Sequence, residues 1–197
     1  MNFLAHIYLS FDDDMITLGN FFADHIRGNK FKHFPIQIQR GILLHREIDT
    51  FTDSHPVAKQ SSKRLHKNYS HYSRVIVDIY YDHFLAKNWS DYSEIPLKEY
   101  VENFYQLLEK HYELLPVATQ RIMPYMLADN WLYHYANLEG ISRVLNGMNR
   151  RTNNRSKMNF AIQDLKENYT DFENEFRLFF EELITFSQEK LAFLCEN

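Results

Sequence analysis

Only five glycines and five prolines punctuate this chain of 197 residues. Sandwiches and barrels of short strands need a turn signal about every 8–12 residues, and this chain cannot supply them. Apolar residues recur instead at helical spacing. Between Pro35 and Asp49 they are Ile36, Ile38, Ile42, Leu43 and Ile48, behind a proline suited to a first helical turn. Ser73 to Trp89 repeats the pattern with Val75, Ile76, Ile79, Tyr80, His83, Phe84 and Ala86. Leu97 to Leu115 follows Pro96 and places Tyr100, Val101, Phe104, Leu107, Leu108 and Tyr112 on one face. Pro124 to Tyr135 and Leu138 to Met148 read as two shorter helices, and Phe160 to Leu194 as one or two long ones. No segment alternates with period two. The expectation is an all-α, single-domain helical bundle over residues 1–197.

At this length a domain buries more than half of its unfolded surface and needs no disulfide staples. Cys195 is the only cysteine, which excludes a disulfide framework and a thiolate zinc knuckle and fits a reducing compartment. The opening residues carry no basic n-region, and their apolar run breaks at Asp12-Asp13-Asp14, so no signal peptide is expected. No run approaches 18 uncharged apolar residues, so no membrane span is expected. A formal net charge of −4 argues against a general nucleic-acid binder. The expectation is a soluble, cytoplasmic protein whose 16 Phe and 13 Tyr, at helical spacing, form core rather than a ligand lining.

Charge is uneven along the chain. Ser54 to Val77 contains no acid but holds Lys59, Lys63, Arg64, Lys67 and Arg74, whereas Ala161 to Asn197 carries nine acids against three bases. A second basic cluster, Arg150, Arg151, Arg155 and Lys157, falls in an Asn-rich segment read as a loop. Such runs form solvated faces or steer an anionic partner, and charge alone does not choose between them.

Three segments combine His, Asp and Arg. In Gly19 to Gly28, Asp24 and Arg27 would share a face if the segment is helical. In Gly41 to Pro56, His45, Asp49 and Asp53 follow an i, i+4, i+8 line. In Asp78 to Leu85, two like charges, Asp78 and Asp82, repel one another at i, i+4, which calls for a cation nearby. A His and an Asp one turn apart can hold one metal ion, or can equally form an ion pair on a helix face. Carboxylates with imidazoles suit Mn²⁺, Fe²⁺ or Mg²⁺ rather than an ion that prefers thiolates.

The motifs in combination resemble the acyl carrier protein phosphodiesterase family, a divergent branch of the HD-type metal-dependent phosphohydrolases. The resemblance is carried by Asn2-Phe3-Leu4-Ala5-His6, Gly19-Asn20 through Ala23-Asp24 to Arg27-Gly28, and Gly41-Ile42 through His45-Arg46 to Thr52-Asp53. It continues through Asp82-His83-Phe84-Leu85, Trp89, Trp131-Leu132 and Val144 to Met148. It implies an HD-like helical fold and removal of 4′-phosphopantetheine from holo acyl carrier protein, within fatty acid biosynthesis and lipid metabolism. It also implies a divalent cofactor, with Mn²⁺ first and Mg²⁺ or Fe²⁺ as alternatives. The wider superfamily places His before Asp in adjacent positions, whereas Asp82-His83 reverses that order and His45 is separated from Asp49. On this reading Asp24, His45, Asp49 and Asp82 form the metal shell, with Asp78 and His83 at its margin. His83 is also the candidate general acid, and Arg27 or Arg46 would stabilise phosphoryl charge. Lys59, Lys63, Arg64 and Lys67 would dock the acidic carrier protein. Two rivals stand beside it: a phosphohydrolase of nucleotides or other small phosphoesters, and a helical binding protein whose His/Asp pairs are only structural.

Overall fold

The computed structural model describes residues 1–196, and among them there is no β-strand. Eleven α-helices are joined by short turns. They are α1 (Phe3–Tyr8), α2 (Asp14–Phe22), α3 (Ile36–Ser54), α4 (Pro56–Tyr69), α5 (Ser73–Lys87), α6 (Leu97–Lys110), α7 (Val117–Ala128), α8 (Trp131–His134), α9 (Leu138–Arg151), α10 (Ala161–Glu167) and α11 (Tyr169–Glu196). The all-α expectation holds. Proline sets several starts: Pro56 opens α4, and Pro35, Pro96 and Pro116 each precede a helix. Side-chain caps set others. Asp13 accepts from the amides of Met15 and Ile16, and Asn137 accepts from the amide of Gly140.

Boundaries moved where proline was read too literally. Pro124 lies inside α7 rather than at its head, exposed, where its missing N–H costs one helical hydrogen bond. The helix predicted from Pro35 to Asp49 runs on to Ser54, and the one predicted from Leu97 to Leu115 stops at Lys110. Asp24 and Arg27 do not share a helix. Asp24 sits in a 3-10 turn, Ala23–His25, and Arg27 is extended at φ −86°, ψ 140°.

The core forms around α5 and α11. Residues Ile76, Val77 and Ile79 through Ala86 of α5 are buried. They face Phe172, Phe176, Phe179, Phe180 and Leu183 of α11, all fully buried, so these aromatics are core, as their spacing predicts, whereas Tyr112, Tyr125, Tyr133, Phe160 and Phe193 are exposed. Tyr80 packs edge-on against Phe172 with ring centroids 5.0 Å apart, and Phe176 stacks on Phe180 at the same separation.

The crossing of α2 and α3 is close, and it is made by two glycines. A Cβ at Gly19 would lie 2.3 Å from the carbonyl oxygen of Ile38, and one at Gly41 would lie 2.1 Å from that of Ile16. Only bare backbone fits at either point. This crossing brings the last turn of α2 against the middle of α3, where His45 lies.

Candidate metal centre

Three segments converge beside that crossing. His6 comes from α1, Asn20 from α2, and His45 and Asp49 from one face of α3. The two imidazoles stack with centroids 3.9 Å apart and planes inclined by 20°. Asn20 fixes both rings. Its amide nitrogen donates to the carbonyl of His6 and the hydroxyl of Ser10, so its side-chain oxygen faces His6 Nδ1 at 2.8 Å and accepts from it. The backbone carbonyl of Asn20, in the last turn of α2 where carbonyls lack helical partners, accepts from His45 Nδ1 at 2.8 Å. Both Nδ1 protons are therefore committed, and both Nε2 atoms turn the same way.

They turn toward carboxylates. His45 Nε2 lies 3.2 Å from Asp49 and 3.2 Å from Asp24, and His6 Nε2 lies 3.4 Å from Asp49. His6, His45 and Asp49 each offer a ligand atom, all within 4.8 Å of one another. His6 Nε2 is buried and makes no hydrogen bond, its lone pair facing the carboxylate of Asp49. Burial, and then the charge of His45, lower the His6 pKa to about 4, so this ring is neutral. Burial would lower His45 too, but hydrogen bonds to Asp24 and Asp49 outweigh it and hold His45 at about 9. Asp49 resists the upward push of burial and is held well below the usual carboxylate range chiefly by its hydrogen bond from His45; Asp24 is lowered chiefly by its own bond to His45. His45 Nε2 thus carries a proton toward the two acids, and a divalent cation taking that proton's place would meet two imidazole nitrogens and two ionised acids as donors. The imidazoles are buried, while 68% of Asp24 and 45% of Asp49 side-chain area is exposed, so the group opens to one side.

It opens into a cleft of about 910 Å³, lined by Asp24, Asp49 and Asp78 and, across from them, by residues of α8 and α9. Arg74, Arg143, Arg150 and Arg151 line the same cleft, with Arg74 paired to Asp53 at 3.2 Å. Arg150 and Arg151 close the last turn of α9 rather than riding on a loop.

Several sequence-based site assignments need correction. Asp82 is fully buried and serves α1: its carboxylate accepts from the amides of Asn2, Leu4 and Ala5 at 3.3, 2.7 and 3.3 Å. Burial pushes its pKa up, to about 7, while these donors oppose the rise. Asp78 lines the cleft 3.1 Å from the amine of Met1, which is the cation that the Asp78/Asp82 repulsion called for. His83 has no nitrogen to spare, because Nδ1 donates to the carbonyl of Tyr135 and Nε2 accepts from the hydroxyl of Tyr169, both at 2.7 Å. Arg46 straps the segment after Asp24 by donating to the carbonyls of Ile26 and Gly28, with its guanidinium over Phe31. Arg27 is exposed on that segment and is not part of the cleft lining. Arg64 pairs with both oxygens of buried Glu175 at 2.8 Å, while Lys59, Lys63 and Lys67 are exposed on α4, outside the cleft lining.

His6 and Asn20 were missed as site residues. Each sat in a quoted motif, but a lone His in a short apolar helix and an Asn beside a Gly carry no spacing signal of their own.

A family model described as acyl carrier protein phosphodiesterase matches residues 1–183. A protein of that name from Photorhabdus laumondii is 32% identical over 99% of this chain and 98% of its own length. Namesakes from Yersinia enterocolitica and Klebsiella pneumoniae are each 31% identical over 96% of this chain and 99% of their own lengths. No solved structure matches. With both the family model and the relatives covering His6, Asn20, His45 and Asp49, the chain belongs to the acyl carrier protein phosphodiesterase family.

Proposed function

We propose that this protein hydrolyses the phosphodiester that joins 4′-phosphopantetheine to a serine of acyl carrier protein, using a divalent cation held by His6, His45 and Asp49, with Asp24 beside them. Mn²⁺ suits this donor set best, with Mg²⁺ or Fe²⁺ as alternatives. The observation that carries the reading is the pair of imidazoles, both oriented by Asn20, whose Nε2 atoms meet Asp49 at the edge of a cleft, that of His6 without forming a hydrogen bond. A cation bound there would lower the pKa of water and offset charge on phosphoryl oxygens.

The chain's own groups supply the rest. Asn20 engages Nδ1 of both rings, so each presents Nε2 to the cation, that of His45 once its proton has been displaced. Asp24, ionised and exposed, accepts a hydrogen bond from the attacking water and aims it. Water oxygen joins phosphorus as the bond from phosphorus to the serine oxygen breaks; Asp24 takes one proton from the water and returns it to the serine oxygen, leaving a serine hydroxyl and, with the other proton, a phosphomonoester on the arm. Guanidinium groups of the cleft lining offset phosphoryl charge, a task first assigned to Arg27 and Arg46. An acidic carrier protein would be steered by the exposed lysines of α4, in the cytoplasm, where the exposed thiol of Cys195 stays reduced.

The test is to incubate holo carrier protein with the purified chain, dialysed against EDTA and then supplied with Mn²⁺, Mg²⁺ or Fe²⁺. Mass spectrometry should show the apo protein with metal and unchanged holo protein without it. Equal conversion in EDTA would remove the metal from the reading, and no conversion under any condition would remove the substrate.

A further inference from the structure

We propose that the cleft-facing side of α9 seats the pantetheine arm, with Gly147 left bare so that the arm can lie across the helix; this rests on the phosphodiesterase reading above. A phosphoryl group alone does not need a cleft of about 910 Å³, whereas clefts of about 300–1,000 Å³ take ligands of drug size. Past its phosphate the arm is an uncharged chain with a gem-dimethyl group, two amides and a thiol. It needs an apolar wall leading away from the carboxylates.

That wall is present. Val144, Gly147, Met148 and Arg151 follow an i, i+3, i+4, i+7 pattern on α9 and all line the cleft. Val75 and Ile79 of α5 line it as well, on the same helix as Asp78. Trp131 of α8 completes the apolar lining. The wall is held in place by Gly140, where a Cβ would come 2.0 Å from the carbonyl oxygen of His134.

Gly147 is different from the packing glycines. Gly19, Gly41 and Gly140 are demanded by backbone contacts, but a Cβ at Gly147 would meet nothing within 4 Å. Nothing in the packing asks for glycine there, and glycine weakens a helix interior. What its bareness preserves is the width of the cleft beside Val144 and Met148.

The test uses the Mn²⁺-supplied full chain and two probes: free pantetheine, which has the arm's chain but no phosphate, and holo carrier protein. Gly147→Trp should fill the open space, and Val144→Thr should keep volume while adding a hydroxyl. By calorimetry pantetheine should bind the wild type and bind Gly147→Trp at least about tenfold more weakly, with Mn²⁺ binding and helical circular dichroism unaltered. KM for holo carrier protein should rise in the same variant, and Val144→Thr should shift both quantities in the same direction by a smaller factor. Equal pantetheine affinity and equal KM in wild type and both variants would overturn the inference, as would failure of pantetheine to bind the wild type. If the wild type converts holo carrier protein and Gly147→Trp converts it equally well, only the arm's seat is wrong. If the wild type does not convert it at all, the phosphodiesterase reading falls, whatever pantetheine does.

Discussion

Asp82→Asn keeps the shape of the side chain but replaces one of its two acceptor oxygens with a donor. Three backbone amides of the first helix converge on that carboxylate, so at least one buried N–H loses its partner. The expected cost is about 1–3 kcal/mol of stability, read from urea denaturation. Mn²⁺ affinity should change little, since Asp82 is not in the group of His6, His45 and Asp49. Asn20→Ala should do the reverse. It removes the acceptor of the His6 Nδ1 proton but leaves the backbone carbonyl that holds His45. Metal affinity should fall about 10–100-fold in a calorimetric titration, the usual cost of losing a group that orients a ligand. At this scale the sequence was half legible. That His45 and Asp49 meet was readable because a helix forces residues one turn apart onto one face. The partners of Asp82 and His83 were not, because the same acid or imidazole can serve a buried helix end or a tyrosine hydroxyl as readily as a cation. Only the neighbours brought by the fold decide between those uses.

The crossing of α2 and α3 decides whether the centre exists, because it delivers the Asn20 carbonyl to His45. Gly41→Ala would drive a methyl group into the carbonyl of Ile16, which cannot yield as the end of a flexible side chain could. The helices must part. We expect a loss of about 1–3 kcal/mol in stability despite the better helix propensity of alanine. Because the same displacement lengthens the His45 bond, metal affinity should drop as well, and a calorimetric titration beside the melting curve checks both. Helix existence was legible from periodicity at this scale, but two features were not. Asp24 was placed on a helix with Arg27, although α2 ends at Phe22 and a 3-10 turn carries Asp24 to the cleft rim. Pro124 was read as a start, although an exposed face tolerates it inside α7. Both errors come from local rules that tertiary packing overrode.

Across the whole molecule, charge is arranged differently from its order along the chain. The basic stretch from Ser54 to Val77 and the acidic C-terminal region lie far apart in sequence, yet Arg64 on α4 and Glu175 on α11 join them in a paired contact. What remains exposed on α4 is Lys59, Lys63 and Lys67, one turn apart on a single stripe. Changing these three to Glu should raise KM for an acidic carrier protein, with kcat nearly unchanged. It should also flatten the fall of kcat/KM with salt, since exposed charges more than about 10 Å apart are screened at 0.1 M salt. Parallel salt curves for the two proteins would place docking elsewhere. The central claim lies deeper, in the group of two imidazoles and Asp49, and His6 isolates it, because its Nε2 makes no hydrogen bond that the fold would lose. The most direct measurement is mass spectrometry of holo carrier protein after incubation with Mn²⁺ and either wild type or His6→Ala, with circular dichroism confirming that both are folded. Loss of the phosphopantetheine mass with wild type and its full retention with His6→Ala is the predicted result; conversion by folded His6→Ala at the wild-type rate would contradict it.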